Sequence, residues 1–303
     1  MSKNTLPARR QVRRKASIKR LLWSAAGKVA LNGLYFGKLQ KDWLLIERCP
    51  MPLRGLGKGL HGATVAHISD LHRSPIVLER YLRHCVNAIN ELGVDFVAIT
   101  GDFITGHRRC ARGIAKVLKE LRPNIATVAC LGNHDYGLLH PNGLGRMKGL
   151  AGYLTEQLTK AGIYVMLNET AIFRRGQSAI QFVGVEDYWT PHYDPNRAFS
   201  NAHKHMPTIA LCHNPDGAYD MVAQGAQWVL AGHTHGRPAR RHNVKHMFFP
   251  KRHKQFGVGH YQLGDGRLYI NRGLGHGRRS RTLRPEITLF TLTEEKAATQ
   301  KTA

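Results

Sequence analysis

The chain has 303 residues, room for one or two domains, and its apolar fraction of 42% is that of an ordinary globular protein. Lys and Arg number 45 against 20 Asp and Glu, a net charge of +25 that points to polyanions: nucleic acid, an anionic membrane surface or a phosphorylated substrate. No apolar run reaches the roughly 18 residues of a transmembrane helix, so none is expected. The cysteines Cys49, Cys85, Cys110, Cys130 and Cys212 are odd in number and form no C-x-x-C pair. That usage fits a reducing compartment best, with Cys85 and Cys130 as small core residues.

Residues 1–17 form a basic arm of low hydrophobicity, with Arg9-Arg10 and Arg13-Arg14-Lys15. From Ile18 to Leu39 a weak helical pattern follows, with Ile18, Leu21, Leu22, Ala25 and Val29 on one side. A signal peptide is one reading, but its apolar stretch is short, Lys28 breaks it and no Ala-x-Ala site follows. Arg13-Arg14 resembles a twin-arginine start without the apolar residues that should follow it. The favoured reading is a basic amphipathic helix on anionic lipid, against a helix simply packed on the main body.

The folded body begins near Leu44. Strands are expected at Val65–Ile68, Phe96–Thr100, Ala126–Leu131, Ile180–Val185, Ile209–Cys212, Trp228–Ala231, Leu268–Ile270 and Glu286–Leu292. Helices are expected at Leu78–Leu92, at Ile114–Leu121 before Arg122-Pro123, and at Leu150–Ala161 before Gly162. Strands alternating with helices, then more strands, predict an α/β layered sandwich. No internal repeat is visible.

Five short blocks carry the chemistry: Asp70-Leu71-His72, Gly101-Asp102, Gly132-Asn133-His134-Asp135, His213, and Gly232-His233-Thr234-His235-Gly236. Asp70, Asp102 and Asn133 each follow the end of an expected strand, where α/β sheets gather ligands. Taken singly most are weak: a D-x-H pair arises by chance, Gly-Asp is usually a turn, and His213 alone reads as a core histidine. The H-x-H between glycines is the strongest single block. The ordered set supplies Asp, His and Asn but no Cys, which suits two divalent cations sharing a carboxylate.

In that order the blocks resemble the calcineurin-like metallophosphoesterase superfamily, over about Val65 to Leu292. The stretches Asn271-Arg272-Gly273-Leu274-Gly275 and Pro285-Glu286-Ile287-Thr288-Leu289 are similar to a bacterial subgroup of small, often membrane-associated phosphoesterases. One type in that subgroup cleaves UDP-diacylglucosamine, a lipid-linked pyrophosphate. The resemblance implies a four-layer α/β/β/α sandwich, with residues 44–294 as the catalytic domain between a basic arm (1–43) and a tail (295–303). It implies that Asp70, His72 and His235 bind one metal and that Asp102 bridges to a second, completed by Asn133, His213 and His233. His134 would face the phosphate as general acid or electrostatic stabiliser, oriented by Asp135. Manganese is the expected metal, with iron or zinc as alternatives, and a hydroxide between the two ions would attack phosphorus without a phosphoenzyme. Arg237 and Arg272 would contact substrate. One departure stands out: many relatives continue the H-T-H block with Gly-Gly-Gln, whereas here Gly236 is followed by Arg237-Pro238-Ala239-Arg240-Arg241.

The remaining basic features bear on the substrate. Residues 237–254 mix Arg, Lys and His with Met247-Phe248-Phe249, a pattern open to membrane insertion or to core packing. His276 and the run Arg278-Arg279-Ser280-Arg281 add charge after Arg272. Nucleic acid also suits the net charge, but no nucleic-acid-binding motif is visible and few aromatics sit among the basic runs. The preferred expectation is a lipid-linked phosphate or pyrophosphate, cleaved by a cytoplasmic protein held on the inner face of the cell membrane. Its alternatives are a nuclease or nucleotide phosphodiesterase, and a non-catalytic membrane- or nucleic-acid-binding scaffold. Activity toward oligonucleotides favours the first alternative; loss of ligands would favour the second, and none is lost in this sequence.

Overall fold

The computed structural model describes residues 44–105, 107–139, 141–142, 147–236, 256–275 and 284–295. The basic arm, the predicted helix from Ile18 to Leu39, the Met247-Phe248-Phe249 loop, His276, Arg278, Arg279 and Arg281 lie outside the described residues.

Two six-stranded sheets face each other. The first contains β1 (Leu45–Leu53), β2 (Thr64–Ser69), β3 (Phe96–Thr100), β4 (Ala126–Cys130), β5 (Ile163–Val165) and β12 (Glu286–Glu294), in the order β1-β12-β2-β3-β4-β5. The second contains β6 (Glu169–Arg175), β7 (Ser178–Gly184), β8 (Thr208–Leu211), β9 (Trp228–Ala231), β10 (Gly259–Leu263) and β11 (Gly266–Ile270), in the order β10-β11-β9-β8-β7-β6. Strands β2 to β5 run parallel, as do β7, β8, β9 and β11. Strand β12 returns antiparallel to β2 and carries β1 parallel on its other side.

The central strands are apolar on both faces because both faces are covered. On β3, Phe96 and Ala98 join the core between the sheets, while Val97 and Ile99 pack under helices. Those helices are α1 (Glu79–Glu91), α2 (Arg108–Leu118) and α3 (Leu150–Lys160). Phe182, Ile209, Leu211, Trp228 and Leu230 meet the first sheet from the second. Each such large side chain, fully buried, contributes about 1.5–3 kcal/mol. The outer face of the second sheet is covered by α4 (Pro195–Phe199) and α5 (Ala218–Ala223), through Ala198, Phe199, Ala218 and Met221. The result is the expected four-layer α/β/β/α sandwich. No helix among the described residues is long and apolar enough to cross a membrane.

One boundary requires correction. The helix expected at Ile114–Leu121 runs from Arg108 to Leu118. Its buried stripe starts at Cys110 and Ala111 and continues through Ile114, Ala115 and Leu118. Arg108, Arg109, Arg112 and Gly113 masked that stripe in the sequence, since three cations and a glycine read as loop.

Candidate metal centre

All five blocks sit at the C-terminal ends of parallel strands, Asp70 after β2, Asp102 after β3, Asn133 beyond β4, His213 beyond β8, and His233 with His235 after β9. Six non-glycine residues among those described have positive φ, and five of them are in these blocks: Asp70 at 51°, His72 at 46°, Asp102 at 54°, His233 at 67° and His235 at 53°. Left-handed backbone costs a non-glycine residue about 1–3 kcal/mol, a cost tolerated where surrounding structure imposes it and the side chain is needed. Hydrogen bonds between loops impose it here. Asp70 N–H donates to Gly101 O at 3.1 Å, His72 N–H to Asp102 O at 2.8 Å, Gly232 N–H to His213 O at 3.0 Å and Gly275 N–H to Asp70 O at 2.7 Å.

The side chains converge around two carboxylates. Asp70, His72, Asp102 and His235 bring ligand atoms within 4.8 Å of one another. His72 Nε2 lies 3.8 Å from Asp70 Oδ1 and 3.5 Å from Asp102 Oδ2, and His235 Nδ1 lies 3.4 Å from Asp70 Oδ1. A second group continues from the same Asp102 oxygen. His213 Nε2 is 3.4 Å from Asp102 Oδ2, His233 Nδ1 is 3.3 Å from His213 Nε2, and Asn133 Oδ1 is 3.0 Å from His233 Nδ1. Asp70 Oδ1 and Asp102 Oδ2 are buried and accept no hydrogen bond. Metal–ligand bonds of about 2.0–2.2 Å place neighbouring donors on one ion about 3.0–3.5 Å apart. The separations, the N/O donor set and the two bare buried oxygens fit a dinuclear metal site that shares Asp102.

Supporting groups fix the donors. His213 Nδ1 lies 2.8 Å from the Thr100 carbonyl, which assigns the proton to Nδ1 and turns the Nε2 lone pair to the site. Thr105 Oγ1 lies 3.2 Å from His72 Nδ1. Asn133 Nδ2 donates to Leu138 O at 2.7 Å, leaving Oδ1 free to face His233. Ser69, Asp70 and Gly232 crowd together, so a side chain at Gly232 would collide with both.

Electrostatics follow from burial and crowding. Burial pushes the Asp70 carboxyl up to about 7, opposed by His213 and reinforced by Asp102. Burial also opposes charge on Asp102, but His213, His72 and His134 outweigh it and hold that carboxyl well below the usual range. His213 is disfavoured as a cation by burial, yet Asp102 and then Asp70 hold it well above its ordinary value. A cation placed among these groups would take over the role of the histidine protons.

His134 N–H donates to Asp102 Oδ1 at 2.9 Å, and its ring packs edge-on to His72 with centroids 5.0 Å apart. The Asp135 carboxylate accepts from Gly132 N–H at 2.9 Å and from Ile104 N–H at 3.2 Å. Its hydrogen bonds therefore fasten the β3 and β4 loops to each other, and any orientation of the His134 ring passes through the backbone. Arg272 Nε lies 3.3 Å from Glu286 Oε2, beside Gly273, which abuts Asp70. Arg237 lies outside the described residues.

Sequence reasoning missed the loop after β7. Asp187 is buried there, its carboxyl pushed up to about 6 by burial, and Trp189 packs edge-on to His233 with centroids 4.8 Å apart. The available signal was Gly184-Val185-Glu186-Asp187, an acid at a strand end just as in Gly101-Asp102.

Two sheets with paired Asp/His clusters at their strand ends define a layered α/β metallohydrolase. Residues 63–237 match the calcineurin-like phosphoesterase family, and the chain belongs to it. It is therefore a phosphoester hydrolase of the metallophosphoesterase class. It is similar to UDP-2,3-diacylglucosamine pyrophosphatase LpxG of Chlamydia trachomatis, 26% identical over 86% of this chain and 92% of the relative. It also resembles phosphodiesterase YaeI of Escherichia coli K12, 29% identical over 75% of this chain and 81% of the relative. Metallophosphoesterase YkuE of Bacillus subtilis 168 is 27% identical over 88% of this chain and 93% of the relative.

Proposed function

We propose that this chain cleaves a lipid-linked phosphoester or pyrophosphate, of the UDP-diacylglucosamine or phospholipid type, at an anionic membrane surface. The observation that carries the chemistry is Asp102 Oδ2, a bare buried oxygen 3.5 Å from His72 Nε2 and 3.4 Å from His213 Nε2. One carboxylate oxygen between two ligand groups suits a pair of cations that share it. Asp70, His72, Asp102 and His235 would hold the first cation, and Asp102, Asn133, His213 and His233 the second. When bound, two such cations clamp phosphoryl oxygens and acidify water; manganese suits the ligands, as do iron and zinc. His134 donates a proton or a hydrogen bond to the departing or equatorial oxygen. Asp135 positions the loop that carries it. Arg272 and Arg237 bind substrate phosphate. Support for a lipid-linked pyrophosphate comes from the LpxG relatives and from the net charge of +25. Residues 44–294 are the catalytic domain, with a membrane-binding arm before it, and the protein sits on the inner face of the cell membrane.

The test is a manganese-supplemented screen of bis-p-nitrophenyl phosphate, UDP-linked acylated sugars, phospholipids and oligonucleotides. Fastest cleavage of a lipid-linked phosphate, stimulated by detergent or vesicles, is expected. An oligonucleotide degraded faster than every lipid would replace this reading with a nuclease.

A further inference from the structure

Helices α1, α2 and α3 begin at the end of the first sheet where the metal centre lies, because each follows a parallel strand whose C-terminus carries site residues. The described residues leading into α1 and α3 include exposed apolar side chains. Ile76 is 49% exposed, Leu139 59% and Met147 42%, three of the six large exposed hydrophobics among the described residues. Val77 beside Ile76 and Leu138 beside Leu139 are buried, which anchors the chain under those two side chains.

Charge at this end is equally one-sided. Arg108 and Arg109 open α2, and Lys148 precedes α3; all three are exposed. Neither α2 nor α3 has an acid in its first turn. Glu79 opens α1 but is engaged by Arg73 at 2.9 Å. Two arginines at a helix N-terminus oppose the helix dipole, which favours anions there. Arg108 lies over the Tyr153 ring, 4.1 Å from its centroid, and no acid in the first turn of α2 offsets the two arginines, so an external anion would complete the arrangement. Acids gather instead beside the second sheet, at Asp194, at Asp216 and at Asp220 in the first turn of α5.

We infer that the rim formed by Ile76, Leu139 and Met147 with Arg108, Arg109 and Lys148 docks on an anionic phospholipid bilayer, turning the metal centre toward the lipid headgroups. Aliphatic side chains inserted at the headgroup boundary, ringed by cations, are the chemistry of interfacial binding. A nucleic-acid strand would call for aromatic platforms for its bases, and these side chains are aliphatic. The inference rests on the lipid reading above and names the surface by which that substrate is reached.

The experiment is co-sedimentation of the full chain with vesicles of phosphatidylglycerol and phosphatidylcholine, across a salt series. The triple variant Ile76→Asp, Leu139→Asp, Met147→Asp and the pair Arg108→Glu, Arg109→Glu should each weaken vesicle binding by about tenfold or more. The pair should also flatten the salt dependence. Both should hydrolyse bis-p-nitrophenyl phosphate at the parental rate, since none of these side chains is a ligand or substrate group, and that activity certifies the fold. Lys119→Glu with Arg122→Glu, at the far end of α2, should leave vesicle binding intact. Parental vesicle binding by the triple variant overturns the inference, as does binding by the arginine pair that fails only for an oligonucleotide. Rim-dependent vesicle binding without cleavage of any lipid phosphate would leave the rim standing and remove the substrate reading. Lipid cleavage with rim-independent binding would do the reverse.

Discussion

Asp102 and His134 are joined by one hydrogen bond, from the His134 N–H to Asp102 Oδ1 at 2.9 Å. That bond leaves Oδ2 alone to face His72 and His213. It also ties the acid candidate to the shared ligand through a single backbone step. Asp102→Asn keeps an oxygen for the His134 N–H but supplies an amide in place of the bare oxygen. Activity on bis-p-nitrophenyl phosphate should fall by about a hundredfold or more, with the thermal midpoint of the metal-free protein nearly unchanged. Metal analysis should show fewer than two ions per chain. Parental activity in this variant would end the shared-carboxylate account.

Thr105 supports His72 from behind, Oγ1 to Nδ1 at 3.2 Å. Thr105→Val preserves shape and removes the hydroxyl. Partners behind a metal-binding histidine are worth about 10–100-fold in metal affinity. The metal concentration for half-maximal activity should rise by about tenfold, while the rate at saturating metal stays within a small factor. A loss of rate that excess metal does not restore would place Thr105 in the chemistry itself.

Much of this candidate site was legible because its proposed ligands obey a sequence-local rule: a polar residue where an apolar strand ends. The unread parts of the fold share a different cause. Four strands escaped notice, namely β1, β5, β6 and β10, and these are the four edges of the two sheets. An edge strand is half covered, so it shows no continuous apolar run; β1 even contains Pro50 and Pro52, which an edge tolerates. Thr105 and the Thr100 carbonyl carried no signal at all. Their roles exist only after β3, β8 and the loop at His72 are brought together.

Gly132 shows how tightly that assembly is drawn. A Cβ there would lie 2.6 Å from Asp102 N and 2.8 Å from His213 Cγ, with Asp102 Oδ1 closer still. Backbone and a buried ring cannot retreat as a flexible side chain can. Gly132→Ala should therefore cost about 1–3 kcal/mol of stability and reduce the metal content. Denaturant unfolding together with metal analysis checks both. A variant with normal stability and two bound ions would show that the β3 and β4 loops have slack.

Removing metal should expose the cost of the assembled carboxylates. Without a cation, burial and Asp102 push Asp70 up to about 7 in the folded chain. An Asp pKa raised by folding gives stability that is present below about 4 and lost as pH rises toward 7. The chelated protein should therefore lose stability across that window, while the metal-loaded protein, whose ligands bind best deprotonated, should not. The gap between the two thermal midpoints should widen steadily from pH 5 to pH 7.5. A gap that narrows with rising pH would contradict the assigned ligands.

His67 gives a pH dependence of opposite sign that needs no metal. It lies fully buried between the sheets, stacked near Phe290 and edge-on to Tyr269, with Nε2 2.8 Å from Thr100 Oγ1. Burial lowers its pKa to about 3. Below about 6.5 the unfolded chain takes up a proton that the folded chain refuses, so stability falls as pH drops toward 3. The slope from this one group is about 1.4 kcal/mol per pH unit. His67→Gln removes the titrating group and keeps a polar reach toward Thr100. Urea unfolding at pH 7, 5.5 and 4.5 should show the parent losing stability faster than the variant, whatever their difference at pH 7. Parallel losses would mean that His67 accepts its proton in the folded state, with Thr100 Oγ1 turned to receive it.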